Sequence, residues 1–202
     1  MKITKIMQQV KQRNRYSVYV DDSYSFSLSE SALLTSAVAN GQEVTHDEVE
    51  AFKASSIDDK LYGRALRYVA MRPRTTWEIE FYLTRKEAGS VLIESVIAKL
   101  TDIGLLDDHK FAQTFVHDRQ LLRPTSKRKL SLELRKKRVA SDIIDEVLRE
   151  TVTNDDTALN EIIKRKRRQT KYQDDLKLMQ YLARQGFSYG DIKRAINHEE
   201  DY

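Results

Sequence analysis

The first 28 residues alternate polar and apolar side chains with a period of two, in "KITKIMQQV", "RYSVYVD" and "YSFSLS". β-Branched and aromatic residues dominate these runs, and "DDS" (Asp21 to Ser23) supplies turn chemistry between the second and third. The pattern predicts a small β-meander. Short helices are expected next in "SESALLTSAVA" and "THDEVEAFKAS", with Thr45 and Glu48 as a capping box opening the second. Asn40 and Gly41 are expected to stop the first.

From about Ile57 the apolar spacing becomes helical and a repeat emerges. "RPRTTWEIEFYLTRKEA" begins at Arg72, and "RPTSKRKLSLELRKKRVA" begins 51 residues later at Arg123, with Pro73 and Pro124 in one register. This alignment pairs Ile79 with Leu130, Leu83 with Leu134, Ile93 with Ile144, Val96 with Val147 and Ile97 with Leu148. A third copy, 48 residues further on, places Leu178, Leu182, Ile192, Ala195 and Ile196 at the same positions.

Helix starts agree with this register. Thr75, Ser126 and Asp174 each stand four residues before the first apolar anchor and are good N-caps; Thr75 with Glu78 forms a second capping box. An earlier apolar segment precedes each: Leu61, Ala65, Leu66 and Val69; Phe111, Ala112, Phe115 and Val116; Ala158, Leu159, Ile162 and Ile163. The expected fold is mainly α, a tandem array of three three-helix repeats preceded by a small β-containing N-terminal module. The expected divisions are 1–56 for the module and 58–107, 108–153 and 154–198 for the repeats.

Composition agrees: six Gly and two Pro in 202 residues leave few helix breakers. The absence of Cys excludes a disulfide framework and thiolate metal or redox sites. No apolar run approaches the ~18 residues needed to span a bilayer, and the N-terminus has no signal-peptide core, so a soluble cytoplasmic protein is expected.

Catalytic chemistry finds little support. There is no P-loop, no G-x-G-x-x-G, no G-x-S-x-G and no H-E-x-x-H. His46, His109, His117 and His198 are scattered, and no third ligand joins His109 and His117 at zinc-site spacing. The acidic pairs Asp107/Asp108 and Asp155/Asp156 precede apolar periodicity and read as helix caps. No enzyme, cofactor or metal is expected. Trp77 opens a helix where the other copies carry Arg128 and Leu176, and is expected to pack in the core or between helices.

Charge changes the picture. The formal net charge is only +4, yet residues 123–138 hold eight basic groups and one acid, and "KRKRRQTK" (164–171) holds six and none. Such local excess is felt within about a Debye length, roughly 10 Å, and points to an anionic partner. On one helix over 154–171, Lys164, Arg168 and Lys171 fall opposite the apolar side, flanked by Arg165 and Arg167. In "KRKLSLELRKKRV", Leu130 and Leu134 are core positions, and the charge lies at outer positions. The candidate basic face comprises Arg85, Arg123, Lys127, Arg128, Lys129, Arg135, Lys136, Lys137, Arg138, Lys164, Arg165, Arg167, Arg168, Lys171 and Arg184; Arg85, Lys136 and Arg184 share one repeat position. The bland alternative is a solvated surface with snorkelling stems.

"ALRYVAMRPRTTWEIEFYL" (65–83) and "IGLLDDHKFAQTFVHDR" (103–119) resemble the RecX regulatory-protein family of bacteria, and "RYSVYVDD…YSFSLSES" is similar to members with a β-rich N-terminal extension. The resemblance implies a non-enzymatic modulator of the RecA recombinase; a monomer is expected. Such a protein is built of tandem three-helix units, lies in the groove of the RecA–DNA filament, and restrains its ATPase, strand-exchange and coprotease activities. The alternatives are a stand-alone, non-sequence-specific DNA-binding protein and, more remotely, an enzyme subunit with a metal site.

Overall fold

The structure, a computed structural model, describes residues 1–151 and 155–200. The expected β-meander is present as β1 (Ile3–Gln8), β2 (Arg15–Val20) and β3 (Ser23–Ser29), antiparallel in the order β1-β2-β3. Asp21 and Asp22 take φ of 47° and 66° between the paired Val20 and Ser23. Two successive positive φ values match the twist a two-residue hairpin needs. Helices follow as α1 (Glu30–Ser36), α2 (His46–Ala70), α3 (Thr76–Thr84), α4 (Ser90–Asp102) and α5 (Asp108–Leu122). The remainder are α6 (Lys127–Lys136), α7 (Ser141–Glu150), α8 (Asp155–Arg167), α9 (Asp175–Arg184) and α10 (Tyr189–Glu200).

Two expectations are corrected here. Asn40 and Gly41 do not stop α1, which ends at Ser36 with Ala37 in the left-handed region. They turn the chain back along β1 instead: Gly41 N donates to Ile3 O at 2.8 Å, and Ile3 N donates to Gln42 O at 2.9 Å. The helix opened by Thr45 is not short either, but runs for 25 residues. No Gly or Pro interrupts it before Gly63, so the expected division at residue 56 falls inside a continuous helix.

That helix has two tasks along its length. Its first half covers the sheet: Val49 and Phe52 join the core of Ile3, Val18, Val20, Phe26 and Leu28, with the Phe26 and Phe52 rings stacked at 5.6 Å. One turn on, Ser56 Oγ donates to Ser27 O at 2.6 Å. Asp59 then accepts from Arg15 Nη1 at 2.8 Å, Ser29 N at 2.8 Å and Ser29 Oγ at 2.6 Å. The second half of α2 buries Leu61, Ala65 and Val69, the predicted first-helix positions of the first repeat.

The three-helix repeats are formed by the second half of α2 with α3 and α4, by α5–α7, and by α8–α10. The chain divides into two compact units, Met1–Arg72 with Ile79–Leu105, and Pro73–Glu78 with Leu106–Tyr202. In the second unit, Phe111, Ala112, Val116, Leu130, Leu134, Ile144 and Val147 form one core, and Leu159, Ile162, Ile163, Leu178, Leu182, Ile192 and Ile196 another. Nearly every aligned apolar position is therefore buried. In the third copy burial passes from the Val96/Val147 position, where Ala195 is half-buried, to Ile196.

The N-caps predicted for the second helices all form. Thr75 accepts from Glu78 N, while Glu78 accepts from Thr75 N. Ser126 accepts from Lys129 N and Asp174 from Lys177 N. At Asp174, the Lys177 backbone N–H holds the carboxyl below its ordinary range; at Glu48 the Thr45 backbone N–H does the same. A depressed carboxyl favours the folded state above its unfolded pKa, so these caps are complete at neutral pH and are lost as pH falls through their lowered values.

The second helices also share an ending. Glu87, Arg138 and Gly186 occupy one repeat position and take φ of 60°, 59° and 90°. The next residues, Ala88, Val139 and Phe187, donate N–H to Leu83 O, Leu134 O and Leu182 O. This is a Schellman ending, with Val139 and Phe187 buried as its hydrophobic contact. Leu134, 0% exposed, anchors both the core and this ending of α6. Leu134→Ala is therefore expected to lower stability by about 2–5 kcal/mol in urea unfolding followed by circular dichroism.

Candidate anion-binding interface

Within the second unit the start of one second helix meets the end of the next. Thr75 Oγ1 donates to Lys137 O at 3.0 Å, just past the end of α6. In the same way Ser126 Oγ, Thr125 Oγ1 and Ser126 N donate to Gln185 O at 3.0, 3.0 and 3.3 Å, just past the end of α9. Asp108 accepts from Thr76 N at 2.8 Å, and Asp155, 47 residues later, accepts from Lys127 N at 2.9 Å. Asp107 caps α5 through Lys110 N. Asp107 thus caps its own helix as expected, whereas Asp108 and Asp155, in the first turns of α5 and α8, accept from the starts of α3 and α6. Among the described residues no three His, Asp or Glu side chains converge as metal ligands.

A side-chain bridge closes each junction. At the first, Lys137 Nζ lies 3.2 Å from Glu78 Oε1. At the second, the corresponding pair is Gln185 Oε1 and Lys129 Nζ, 2.8 Å apart. The contact is retained with donor and acceptor exchanged between the partners.

Four cations of the predicted face are therefore committed to the fold. Lys137 and Lys129 bridge junctions. Lys127 Nζ donates to Leu148 O at 3.0 Å and Thr151 O at 3.3 Å, placing a cation at the negative end of α7. Arg167 turns inward to Tyr172 O, Gln173 O and the Asp175 carboxylate, the last at 2.6 Å. The continuous helix expected over 154–171 is also corrected. Residue 154 lies outside the described residues, α8 ends at Arg167, and Lys171 sits in a 3-10 turn, Thr170–Tyr172. Arg167 draws the chain round by binding those carbonyls, so Lys164, Arg168 and Lys171 do not share one helical stripe.

The other cations face solvent. Arg123, Arg128, Arg135, Lys136, Arg138, Lys164, Arg165 and Arg168 are exposed, and none has a side-chain partner among the described residues. Arg85 lies 6.0 Å from the Phe81 ring centroid, Lys171 Nζ lies 5.6 Å from that of Tyr172, and Arg184 Nε donates to Gln180 O at 3.1 Å. Trp77 is not a core residue: 37% of it is exposed, and the exposed Arg128 and Leu176 hold its position in the later copies.

Sequence reasoning grouped cations by runs and so missed Arg119. This residue lines a groove of about 490 Å³ at the second junction with Arg123, Lys129, Glu133, Arg165, Tyr181 and Gln185. Arg119 Nε lies 3.0 Å from Glu133 Oε2, as an ion pair without hydrogen-bond geometry, and its guanidinium stacks 5.1 Å from the Phe115 ring centroid. The groove gathers cations from α5, α6 and α8, which no linear run reveals. Arg119 lies in the last turn of α5 and Arg123 is the residue that ends it, so both stand at the C-terminal end of that helix.

Four family models match the chain: the regulatory protein RecX N-terminal domain over residues 1–45, and the first, second and third three-helix domains of RecX over 62–100, 107–148 and 154–196. The chain belongs to the RecX regulatory-protein family. Regulatory protein RecX of Bacillus subtilis is 28% identical over 203 residues, covering 98% of this chain and 77% of that protein. Regulatory protein RecX of Lactobacillus johnsonii is 32% identical over 148 residues, 73% of this chain; the match spans only 54% of that relative's length. A crystal structure of regulatory protein RecX superposes with a TM-score of 0.75 at 26% identity, covering 97% of this chain and 98% of the other.

The junction gives a direct test of how RecX repeats are held together. A Cβ on Gly186 would sit 2.4 Å from Ser126 Oγ and 3.0 Å from Lys129 Cβ, and its φ of +90° disfavours any L side chain. Gly186→Ala is expected to cost about 1–3 kcal/mol or more in urea unfolding, through crowding and backbone strain together. An unchanged midpoint would mean that the junction is looser than its hydrogen bonds imply.

Proposed function

We propose that this RecX-family chain is a non-enzymatic regulator of the RecA recombinase. In this reading it binds the RecA–DNA filament and restrains ATP hydrolysis, strand exchange and coprotease activity, acting as a cytoplasmic monomer. Among the described residues no helix is long and apolar enough to cross a membrane. The repeat divisions at 58–107, 108–153 and 154–198 belong to the same proposal.

The observation that carries it is the repeated junction. Successive helices joined start to end within the second unit carry solvent-facing cations on more than one repeat, which suits an extended anionic partner. Binding spread over several such cations weakens steeply as salt rises. Regulation then requires only a preference for one filament state over another.

DNA-stimulated ATP hydrolysis by RecA is expected to fall when the protein is added at stoichiometric amounts in moderate salt; an unchanged rate contradicts the proposal. The second reading, a stand-alone DNA-binding protein, rests on the same exposed cations and predicts equal binding to naked and RecA-coated single strands. Changing Lys164, Arg168 and Lys171 together to Glu is expected to weaken filament or DNA binding at least several-fold while leaving the melting temperature in place. Intact binding at physiological salt would mark these three as solvated surface.

A further inference from the structure

The two junctions share their hydrogen bonds but not their charge. Around the second stand Arg119, Arg123, Lys129 and Arg165, with Glu133 as the acid among them. In the repeat register the preceding copy carries Tyr68, Arg72, Glu78 and Asp118 at those four places, and Tyr82 in place of Glu133. The repeat thus supplies an internal comparison in which one of two homologous positions has become strongly cationic. Fold stability does not require this, because the first junction closes with the opposite arrangement of charge, Glu78 against Lys137.

Within the groove the cations have different tasks. Lys129 is held by Gln185, and Arg119 lies against Glu133 and Phe115. Arg123 and Arg165 are exposed and have no side-chain partner among the described residues. Two uncommitted guanidinium forks at the rim of a concave cationic site suit phosphate oxygens, to which arginine donates in bidentate fashion. A concave site of about 490 Å³ suits a phosphodiester segment of one strand better than a flat acidic protein face.

We infer that this groove is a subsite for the phosphodiester backbone of a single nucleic-acid strand, with Arg123 and Arg165 as its principal contacts and Arg119 and Lys129 as fixed cations behind them. The inference rests on the reading that the chain works on a DNA-containing filament, and it names the part of the chain that would touch the strand.

The test is fluorescence anisotropy of a labelled oligothymidylate with the full chain, across a salt series. The paired change Arg123→Glu/Arg165→Glu is compared with Arg64→Glu/Arg67→Glu, two exposed arginines of α2 outside the groove that alter net charge equally. The groove pair is expected to weaken binding at least ten-fold, and to reduce the slope of log affinity against log salt by about 1.4, or 0.7 for each lost phosphate contact. The control pair is expected to change affinity less than three-fold. The milder Arg123→Gln/Arg165→Gln variant, checked for unchanged thermal unfolding, is expected to fall between wild type and the charge-reversed pair.

Equal losses in groove and control pairs would reduce the effect to net charge and overturn the subsite. So would undiminished oligothymidylate binding by the groove pair, or no binding by the wild-type chain at low salt. Loss confined to RecA-coated DNA would assign the groove to an acidic protein face instead. The ATP hydrolysis assay judges the regulatory reading separately, since RecA inhibition can persist without this groove and strand binding can persist without inhibition.

Discussion

The constraint on which the second unit depends is the satisfaction of two helix ends by one another. A helix start leaves N–H groups without partners, and a helix end leaves carbonyls without them. Thr75 and Ser126 are both 0% exposed, so neither start is satisfied by water. Each hydroxyl accepts from the N–H three residues on and donates to a carbonyl beyond the end of the next second helix. The partial charges at a helix start and a helix end are opposite in sign, so this contact is electrostatically favourable as well. Asp108 and Asp155 complete the arrangement by taking the N–H one residue further into each helix.

This constraint explains a difference among the caps that propensity alone leaves open. Thr, Ser and Asp all cap well. An ionised Asp, however, can only accept, whereas a hydroxyl both accepts and donates. Thr75 and Ser126 stand where a carbonyl must also be bonded. Asp174 is exposed, and its carboxylate accepts from the Lys177 backbone and pairs with the Lys177 ammonium. The residue type at this one position therefore distinguishes helix starts that are joined from one that is not.

Most of the helical architecture was legible because its signals are local. Period, caps and the proline register specified the cores around Leu83, Leu134 and Leu182. What was not legible depended on distant partners. The unbroken α2 follows from Ser56 and Asp59, which bond to Ser27, Ser29 and Arg15 across the sheet. Nothing in "KASSIDDK" shows that its Ser and Asp face strands rather than a loop. Asn40-Gly41 has the chemistry of a helix stop, yet the turn serves an edge pairing with Ile3. The left-handed Glu87 and Arg138 were hidden because only the third copy has Gly at that position, and there Ser126 leaves no room for a Cβ. Counting basic runs likewise records density and not what each side chain holds.

That distinction decides which cations can contribute to binding. An ammonium or guanidinium already bonded to a carbonyl or carboxylate must lose that bond, or share it, before it can meet an external anion, and a buried acceptor left behind costs about 1–3 kcal/mol. Lys127, Lys129, Lys137 and Arg167 carry such obligations, so neutralising them would alter the fold and binding together. Arg123, Arg165, Lys164 and Arg168 have none and project into water, where a cation is well solvated at little structural cost. Their electrostatic energy is therefore available to a partner in full, reduced only by salt. The basic stretch 127–139 is accordingly two things at once. Lys127, Lys129 and Lys137 tie helix ends together, while Arg128, Arg135, Lys136 and Arg138 remain for whatever anion the outer face meets.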